Sequence, residues 1–164
     1  MRLADLRPDD AEPVRLILND AIENTTAIYD DQPRSLDTVR DWIGIQLQNG
    51  RPLVGLLDER EKLCGYGTYG TFRTLSGYRL TVEHSIYVLP SHHRRGGGRL
   101  LLDELTRRAT AAGLHGMVGV IDSENAASRR LHEKAGFALV GTMPEAAIKF
   151  GRWLDVCFYH RLLK

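Results

Sequence analysis

The sequence of 164 residues lacks the features that mark several large classes of protein. Its two cysteines, Cys64 and Cys157, lie far apart in apolar contexts, which argues against a disulfide framework or a metal site and favours reduced thiols in the core. No apolar run approaches the roughly 20 residues of a membrane-spanning helix, and charged residues follow Met1 too early for a signal sequence. We therefore expect a soluble, cytoplasmic protein.

An excess of one charge is also missing. Twenty-two Lys and Arg residues face 21 Asp and Glu residues, so the formal net charge is +1. A nucleic-acid-binding module needs a broad basic face, and the balance of charge argues against one. The length predicts a single domain over residues 1–164 with a core large enough to fold without staples.

The most informative stretch runs from Thr81 to Leu102 and changes its pattern halfway. A β-branched and aromatic run ends at Pro90, and after three glycines apolar residues recur at helical spacing: Leu101, Leu105, Ala109 and Ala112. The pattern predicts a strand, a glycine loop and a helix. The free N–H groups at the start of such a helix, together with its macrodipole, form an anion site. Basic residues surround this loop, which predicts a ligand that carries phosphates: His92, His93, Arg94, Arg95 and Arg99.

Two familiar phosphate-binding motifs do not fit the loop. No Lys-Ser or Lys-Thr pair follows the glycines, so the loop is not of the Walker A type. A dinucleotide-binding fingerprint that begins at Gly96 needs glycine or alanine at position 101, where the sequence has leucine. A glycine-rich turn with a solvated basic cluster remains the alternative.

The rest of the chain predicts an α/β protein with a mixed, mostly antiparallel sheet flanked by helices. Helices are expected on the face of Val14, Ile17, Leu18 and Ala21, after Ser35 on the face of Val39, Ile43 and Leu47, and over Asn125 to Ala135. Strands are expected near Leu3 and Leu6 and over Pro52 to Leu57, Leu63 to Phe72, Met117 to Ile121, Phe137 to Val140 and Arg152 to Leu163. A ligand is expected where neighbouring strands diverge, at the glycine-loop end.

The glycine loop resembles a known family. His93-Arg94-Arg95-Gly96-Gly97-Gly98, preceded by Val88, is similar to the acyl-CoA loop of the GNAT superfamily of N-acetyltransferases, with His93 at a position that is usually Gln or Arg. A second segment, from Asn125 to Phe137, resembles the part of that family that lines the CoA arm, with His132 at a position that is usually Tyr. The segments around Asn24, Glu83 and Lys149 resemble the branch of phosphinothricin and methionine sulfoximine N-acetyltransferases.

The resemblance implies a GNAT-like fold and acetyl-CoA as the co-substrate, without a metal. The implied contacts with CoA are the backbone groups of Ile86, Tyr87 and Val88 along the pantetheine arm, and the side chain of Asn125. The backbone N–H groups of the loop would surround the pyrophosphate: Arg94, Arg95, Gly96, Gly97, Gly98 and Arg99.

Glu83 is the candidate base. An amine must lose a proton before it attacks a thioester, and burial near the centre of a strand is expected to raise the pKa of this carboxylate toward neutral pH. The alternative is a strand glutamate paired with Arg79 or another cation. His132 is a candidate acid for the departing thiolate, and its alternative is a hydrogen-bonded packing histidine on a helix.

Arg73 is the candidate for the carboxylate of an amino acid substrate, since a guanidinium pairs with a planar anion through two hydrogen bonds. An ordinary solvated arginine is the alternative. The resemblance implies that Thr74 and Leu75 help form the substrate pocket, that the Lys149 to Trp153 segment approaches it, and that the protein is a homodimer.

The combined expectation is an acetyl-CoA-dependent N-acetyltransferase that acts on the α-amine of a small amino acid analogue, by direct attack with Glu83 as the base. Methionine sulfoximine, methionine sulfone and phosphinothricin are the expected acceptors. The alternatives are an acetyltransferase for a peptide N-terminus or a polyamine, and, as a different class, a non-catalytic acyl-CoA-binding sensor.

Overall fold

One seven-stranded sheet organises the structure, a computed structural model that describes every residue from Met1 to Lys164. The strands lie in the order β1-β2-β3-β4-β5-β7-β6. They comprise β1 Arg2–Asp5, β2 Leu53–Leu57, β3 Leu63–Thr71, β4 Thr81–Val88, β5 Gly116–Asp122, β6 Ala138–Lys149 and β7 Arg152–Leu162. The helices are α1 Ala11–Asn24, α2 Leu36–Gln48, α3 Gly97–Ala111 and α4 Ala126–Lys134. The mixed, mostly antiparallel sheet predicted from the sequence is confirmed.

Strands β4 and β5 form the only parallel pair of the sheet, and α3 connects them. A parallel pair needs such a crossover, because the chain must return to the same end of the sheet. The pairing covers three positions and ends where Glu83 lies beside Val118. Beyond that point β4 continues to Val88 along β3, while β5 follows β7.

The two faces of the sheet carry separate apolar clusters. Helix α3 packs its buried Leu101 and Leu105 on one face, together with Val82 and Ile86 of β4. Helices α1 and α2 cover the other face, where they meet Tyr87. Side chains on a strand alternate between the faces, so Glu83, which lies an even number of residues from Tyr87, belongs to the α1–α2 face.

The predicted helices and most predicted strands are present, and Ser35 caps α2 as expected, accepting a hydrogen bond from Thr38 N at 3.2 Å. Leu47 differs from the prediction: it is exposed, and Gln46 is buried in its place, donating to Thr68 Oγ1 at 3.2 Å. A polar residue that completes a buried hydrogen bond cannot be recognised from hydrophobic spacing alone.

Strand β6 is much longer than the predicted Phe137–Val140 segment, since it reaches Lys149. Its side chains are almost all exposed, so it lacks the alternation by which a half-buried strand is recognised. An irregularity between Met143 and Ala147, where Glu145 has a φ of 49°, further interrupts the pattern.

Both cysteines are buried and free, as predicted. The structure has no helix that combines the length and apolar character needed to cross a membrane. It also has no cluster of three or more His, Cys, Asp or Glu side chains placed to hold a metal ion.

Gly97 provides a test of how α3 is seated on the sheet. A Cβ at this position would lie 2.4 Å from Cδ2 of the fully buried Leu56, so we expect Gly97→Ala to lower the free energy of unfolding by about 1–3 kcal/mol. Gly44, inside α2, would have no atom within 4 Å of an added Cβ, and Gly44→Ala is the matched control, expected to stabilise by about 0.5–1 kcal/mol. Urea unfolding of both variants measures the difference, and equal effects would contradict this packing.

Candidate active site

The glycine loop presents a row of free backbone donors. The N–H groups of five consecutive residues have no hydrogen-bond acceptor within the protein: Arg94, Arg95, Gly96, Gly97 and Gly98. Arg94 and Gly96 adopt left-handed conformations, with φ of 61° and 84°, and Gly96 is the N-cap of α3. Unpaired N–H groups at the positive end of a helix dipole form a site for an anion. The predicted anion site is therefore present in the backbone.

The charged side chains around this loop are not equivalent. Arg94 and Arg95 are exposed, and neither takes part in an ion pair. Arg99 differs from the expectation, because its backbone N–H donates to Gly96 O at 3.1 Å. Its guanidinium pairs with Asp103 at 2.7 Å and donates to Lys134 O at 2.9 Å. Arg99 therefore joins α3 to the end of α4 and is not a free donor of the loop.

Strand β4 exposes part of its backbone to the gap beside β5. Leu80 O accepts from Gly116 N on the β5 side, whereas Leu89 N donates to Cys64 O on the β3 side. Because backbone groups alternate along a strand, Ile86 and Val88 face the gap. Tyr87 directs its backbone toward β3, which corrects the expectation that all three residues line the gap with backbone groups.

Glu83 lies at the last paired position before the gap and is half-buried. Burial raises the pKa of its carboxyl group, and the positive charge of Arg73 partly opposes that rise. The direction agrees with the prediction for a base. The cation that acts on Glu83 is Arg73 and not Arg79, so it is the other cation that the alternative allowed.

The loop between β3 and β4 places Arg73 near Glu83 on the outside of the sheet. The exposed Arg73 guanidinium stacks over Phe72, with its Cζ 5.1 Å from the ring centroid. Thr74 and Leu75 are also exposed, Leu75 by 72%. The charge of Arg73 thus acts on Glu83 without an ion pair between the two side chains, and the next two side chains are open to solvent.

A cavity of about 280 Å³ opens on the same face of β4 as Glu83. Ser85 and Tyr87 of β4 contribute to its wall, and Trp42 packs edge-on against Tyr66, with ring centroids 6.3 Å apart. The remaining lining residues are Leu18, Ile28, Arg34, Thr38, Val39 and Thr68. Sequence reasoning did not find this cavity, because its wall is drawn from several separate elements and carries no motif.

Two hydrogen bonds hold the segment between α1 and α2, which forms one side of the cavity. Lys149 of β6 is buried and its ammonium group donates to Ile28 O at 2.7 Å. Desolvation by burial lowers the pKa of Lys149. Thr26 donates to the buried carboxylate of Asp122 at the end of β5. The Lys149 segment therefore reaches the wall of this cavity within one chain.

Asn125 is the N-cap of α4. Its side-chain oxygen accepts from Ser128 N at 3.0 Å, so the amide nitrogen remains available as a donor. The residue is half-buried and follows β5 just after the strand has left β4. This position makes Asn125 a candidate contact on the far side of the gap.

His132 lies against a second histidine that the sequence did not single out. Its Nε2 is 3.1 Å from Nε2 of His84, and its Nδ1 is 2.7 Å from Ser128 O. Burial lowers the pKa of His132 and lowers the pKa of His84 to about 3, so both rings are neutral at pH 7. Both nitrogens of His132 are therefore occupied. The buried partner on the adjacent strand could not be seen from sequence, although His84 directly follows Glu83.

Comparisons with known proteins identify the family of the chain. Residues 15–137 match the acetyltransferase (GNAT) family. An L-methionine sulfoximine/L-methionine sulfone acetyltransferase of Pseudomonas aeruginosa is 43% identical over 149 residues, which cover 91% of this chain and 87% of that protein. A phosphinothricin N-acetyltransferase of Streptomyces coelicolor is 34% identical, over 94% of this chain and 92% of that protein.

The similarity extends to the solved structure of a putative acetyltransferase of Salmonella typhimurium with its cofactor acetyl-CoA. That structure has a TM-score of 0.96 and 37% sequence identity, and the match covers 99% of this chain and 94% of that one. The glycine loop at the start of α3, the gap between β4 and β5, and the matched family together show that the chain belongs to the GNAT family of N-acetyltransferases.

Proposed function

We propose that the protein transfers an acetyl group from acetyl-CoA to the α-amine of a small amino acid or amino acid analogue. Methionine sulfoximine, methionine sulfone and phosphinothricin are the preferred candidates, since similar proteins carry these names. The observation that carries the proposal is the position of Glu83, a half-buried carboxylate with a raised pKa, between the β4–β5 gap and Arg73. Arg73 is close enough for its charge to lower the pKa of Glu83, so a candidate base and a candidate cation for the acceptor belong to one site.

The gap and the glycine loop fit acetyl-CoA. The five free N–H groups from Arg94 to Gly98 would bind the pyrophosphate, with the side chains of Arg94 and Arg95 adding positive charge. Backbone groups of Ile86 and Val88 would pair with the pantetheine arm as an added strand does. The Asn125 amide would donate from the other side of the gap. Tyr87 would face the acceptor through its side chain, which lines the cavity.

Glu83 would take the proton that the acceptor must lose. The α-amine of an amino acid is largely an ammonium group at neutral pH, and only its lone pair attacks a thioester. Attack on the thioester carbonyl then forms the C–N bond, and collapse of the tetrahedral intermediate breaks the C–S bond and releases the CoA thiolate, without a covalent enzyme intermediate. The second proton of the amine nitrogen passes to the thiolate, which leaves as the CoA thiol. A backbone N–H of β4 that faces the gap, such as that of Ile86, is the candidate donor to the oxyanion.

Arg73 and the cavity would hold the acceptor by its two ends. The guanidinium would pair with the α-carboxylate, which places the amine beside Glu83. The acceptor side chain would enter the cavity next to Ser85 and Tyr87. Thr74 and Leu75, which are exposed and do not line the cavity, would contact the acceptor from the Arg73 loop. The lining is mostly apolar but includes Arg34, Thr38, Thr68 and Ser85, so it is suited to a side chain with an apolar stem and a polar end.

His132 is proposed to have a structural role beside the site. A free CoA thiol is acidic enough that its thiolate can leave without a dedicated acid. Since both nitrogens of His132 already have partners, the geometry favours the packing interpretation over direct protonation of the thiolate.

The alternatives have less support. A polyamine site is expected to contain several acidic groups, whereas Arg73 offers positive charge at the acceptor side. A peptide N-terminus would lack a nearby α-carboxylate for Arg73. A non-catalytic acyl-CoA sensor would have no use for a carboxylate buried at the end of the strand pair, because burial of an ionisable group costs stability.

Release of CoA thiol from acetyl-CoA tests the proposal directly. We expect saturable release with methionine sulfoximine, methionine sulfone or phosphinothricin, and weaker release with polyamines and a peptide. Glu83→Gln is expected to lower kcat about 100-fold or more, because the amide cannot accept the proton. The affinity for CoA, measured by calorimetry, should stay within about twofold, because the variant keeps the shape of the side chain.

Glu12→Gln is the control for this experiment. Glu12 is an exposed carboxylate on α1 whose only partner is Arg15, and its loss is expected to leave kcat unchanged. Full turnover by Glu83→Gln would remove Glu83 from the mechanism. Release with polyamine alone would keep the enzyme class and overturn the assignment of the acceptor.

Arg73→Gln tests the acceptor site and the electrostatics of the base together. Loss of the guanidinium should raise KM for the amino acid about 10- to 100-fold, with little effect on KM for acetyl-CoA. It should also raise the pKa of Glu83 further, since the charge of Arg73 lowers that pKa. The base acts in its ionised form, so activity falls as the pH drops through its pKa. The acid limb of the profile of kcat/KM against pH is therefore expected to move to higher pH.

Arg79→Gln is the matched control, because Arg79 lies in the same loop, is exposed, and bonds only to Ser76 O at 3.4 Å. Neither KM nor the acid limb should change in this variant. An identical effect of both substitutions would mean that general positive charge, and not the position of Arg73, governs the site.

We also propose a homodimer that covers the outer face of β6 and the adjoining β6–β7 turn. Several large apolar side chains are exposed there: Leu139, Val140, Met143, Ile148, Phe150 and Trp153. Strand β6 is an edge strand that pairs only with β7, and an exposed apolar edge of this length favours association. The same segment contains Lys149, so the interface would adjoin the wall of the cavity.

Ile148→Lys tests the dimer. Ile148 is 62% exposed, so the substitution should leave the monomer fold intact while placing a charge in the interface. Light scattering coupled to gel filtration is expected to show two chains for the unmodified protein and one for the variant. Leu16→Lys, at an apolar residue of α1 that is 54% exposed, should leave the mass unchanged. A monomeric unmodified protein would refute the dimer.

A further inference from the structure

Two buried histidines meet behind the point where β4 and β5 separate. His84, on β4, and His132, on α4, are 7% and 3% exposed. Their ring planes are nearly parallel, inclined by 14°, with centroids 5.0 Å apart, and the two Nε2 atoms are 3.1 Å apart. The ring of Phe137 packs edge-on against both, at 5.5 Å from His84 and 5.3 Å from His132.

The hydrogen bonds assign the proton of each ring. Ser128 O can only accept, so Nδ1 of His132, at 2.7 Å, carries the proton. In a neutral imidazole the other nitrogen is then an acceptor, which means that Nε2 of His84 donates to Nε2 of His132. Nδ1 of His84 is left with a lone pair, and it is the one buried side-chain nitrogen or oxygen without a partner.

Gly119 of β5 makes this contact possible. A Cβ at this position would lie 2.9 Å from Nε2 of His84 and 3.1 Å from Nε2 of His132. Any other residue would push one ring away from its partner, because 2.9 Å is shorter than a van der Waals contact between these atoms. Gly119 therefore leaves the space that the two imidazole rings need.

The hydrogen bonds continue from the pair to the N-terminus of α4. His84 donates to His132, His132 donates to Ser128 O, and Ser128 N donates to the side chain of Asn125 at 3.0 Å. A strand residue beside the gap is thus linked, through one helical turn, to the amide that faces the gap from the other side.

Packing alone does not explain the presence of the His84–His132 pair. An unpartnered buried acceptor such as Nδ1 of His84 is unfavourable, and apolar side chains of similar size would fill the space without that cost. The chain of hydrogen bonds from His84 to Asn125 indicates a second role for the pair.

We propose that His84 is a positioning residue, which acts through His132 to hold the N-terminus of α4 and the Asn125 amide at the gap between β4 and β5. The inference rests on the proposed function only in that acetyl-CoA occupies this gap. Its consequence is that CoA affinity depends on the N–H donor of residue 84, although the partner of that donor is His132 of α4 and not the ligand.

Two substitutions separate the donor from the bulk of the ring. His84→Gln places an amide N–H at about the same distance from Cα as Nε2, and it should keep KM for acetyl-CoA and the affinity for CoA within about twofold. His84→Phe fills the space without a donor, and it should raise KM and the Kd for CoA about tenfold, with kcat changed less. Gly119→Ala is a third variant, expected to resemble His84→Phe because the added Cβ separates the rings.

Nitrogen-15 NMR of the imidazoles gives a readout that needs no turnover. In the unmodified protein it should show the proton on Nδ1 of His132 and on Nε2 of His84. Calorimetry with CoA, on variants whose melting shows that they are folded, then measures the affinity. The proposal is overturned if the tautomers are reversed, if His84→Phe binds CoA as tightly as the unmodified protein, or if His84→Gln is as weak as His84→Phe.

These outcomes are independent of acetyl transfer. If no acceptor is acetylated but the two variants differ in CoA affinity as expected, the proposed function fails and the positioning role stands. If acceptors are acetylated but the variants do not differ, the positioning role fails alone.

Discussion

The short pairing between β4 and β5 is the constraint on which the candidate site depends. A parallel pair that ended at the strand termini would hydrogen-bond its backbone throughout, but this pair ends after three positions, at Glu83 and Val118. The remainder of β4 keeps its partner β3 and turns the backbone of Ile86 and Val88 toward an unpaired edge. The glycine loop follows directly, so free donors of a strand and of a helix N-terminus adjoin each other.

The site contains one half-buried charged group, the carboxylate of Glu83, and one exposed charged group, the guanidinium of Arg73. Burial disfavours the charged carboxylate and raises the pKa of Glu83, while Arg73 favours the charged form from the solvent side. A pair in which both groups were exposed would leave the pKa of Glu83 near its ordinary value, and a fully buried pair would hold the carboxylate charged against Arg73. The intermediate arrangement keeps the carboxylate ionisable and leaves the guanidinium accessible to a second anion.

The sequence was most informative where one local rule decides the structure. The change of period across the glycines predicted the strand, loop and helix, and a carboxylate in a strand beside that loop pointed to Glu83. Contacts between distant elements could not be predicted from the sequence. The contact between His84 and His132 depends on Gly119, and these residues lie on three elements that no spacing connects, while the exposed β6 shows no alternation. The direction of each backbone group on β4 follows from the register of the strand, which the sequence does not show. The sequence therefore could not distinguish Tyr87 from Ile86 and Val88.

The departures from a stability-optimised chain are concentrated around the β4–β5 gap. Five N–H groups have no acceptor, a carboxylate is half-buried, and a buried imidazole nitrogen has no partner. The half-buried carboxylate and the buried imidazole nitrogen would be less costly if they were solvated or replaced by an apolar group. Elsewhere the structure follows the ordinary rules, with apolar clusters on both faces of the sheet and charges paired at its surface. Local conflicts confined to one place are what a binding and reaction site requires, since free donors and a raised pKa become useful only when a ligand arrives to meet them.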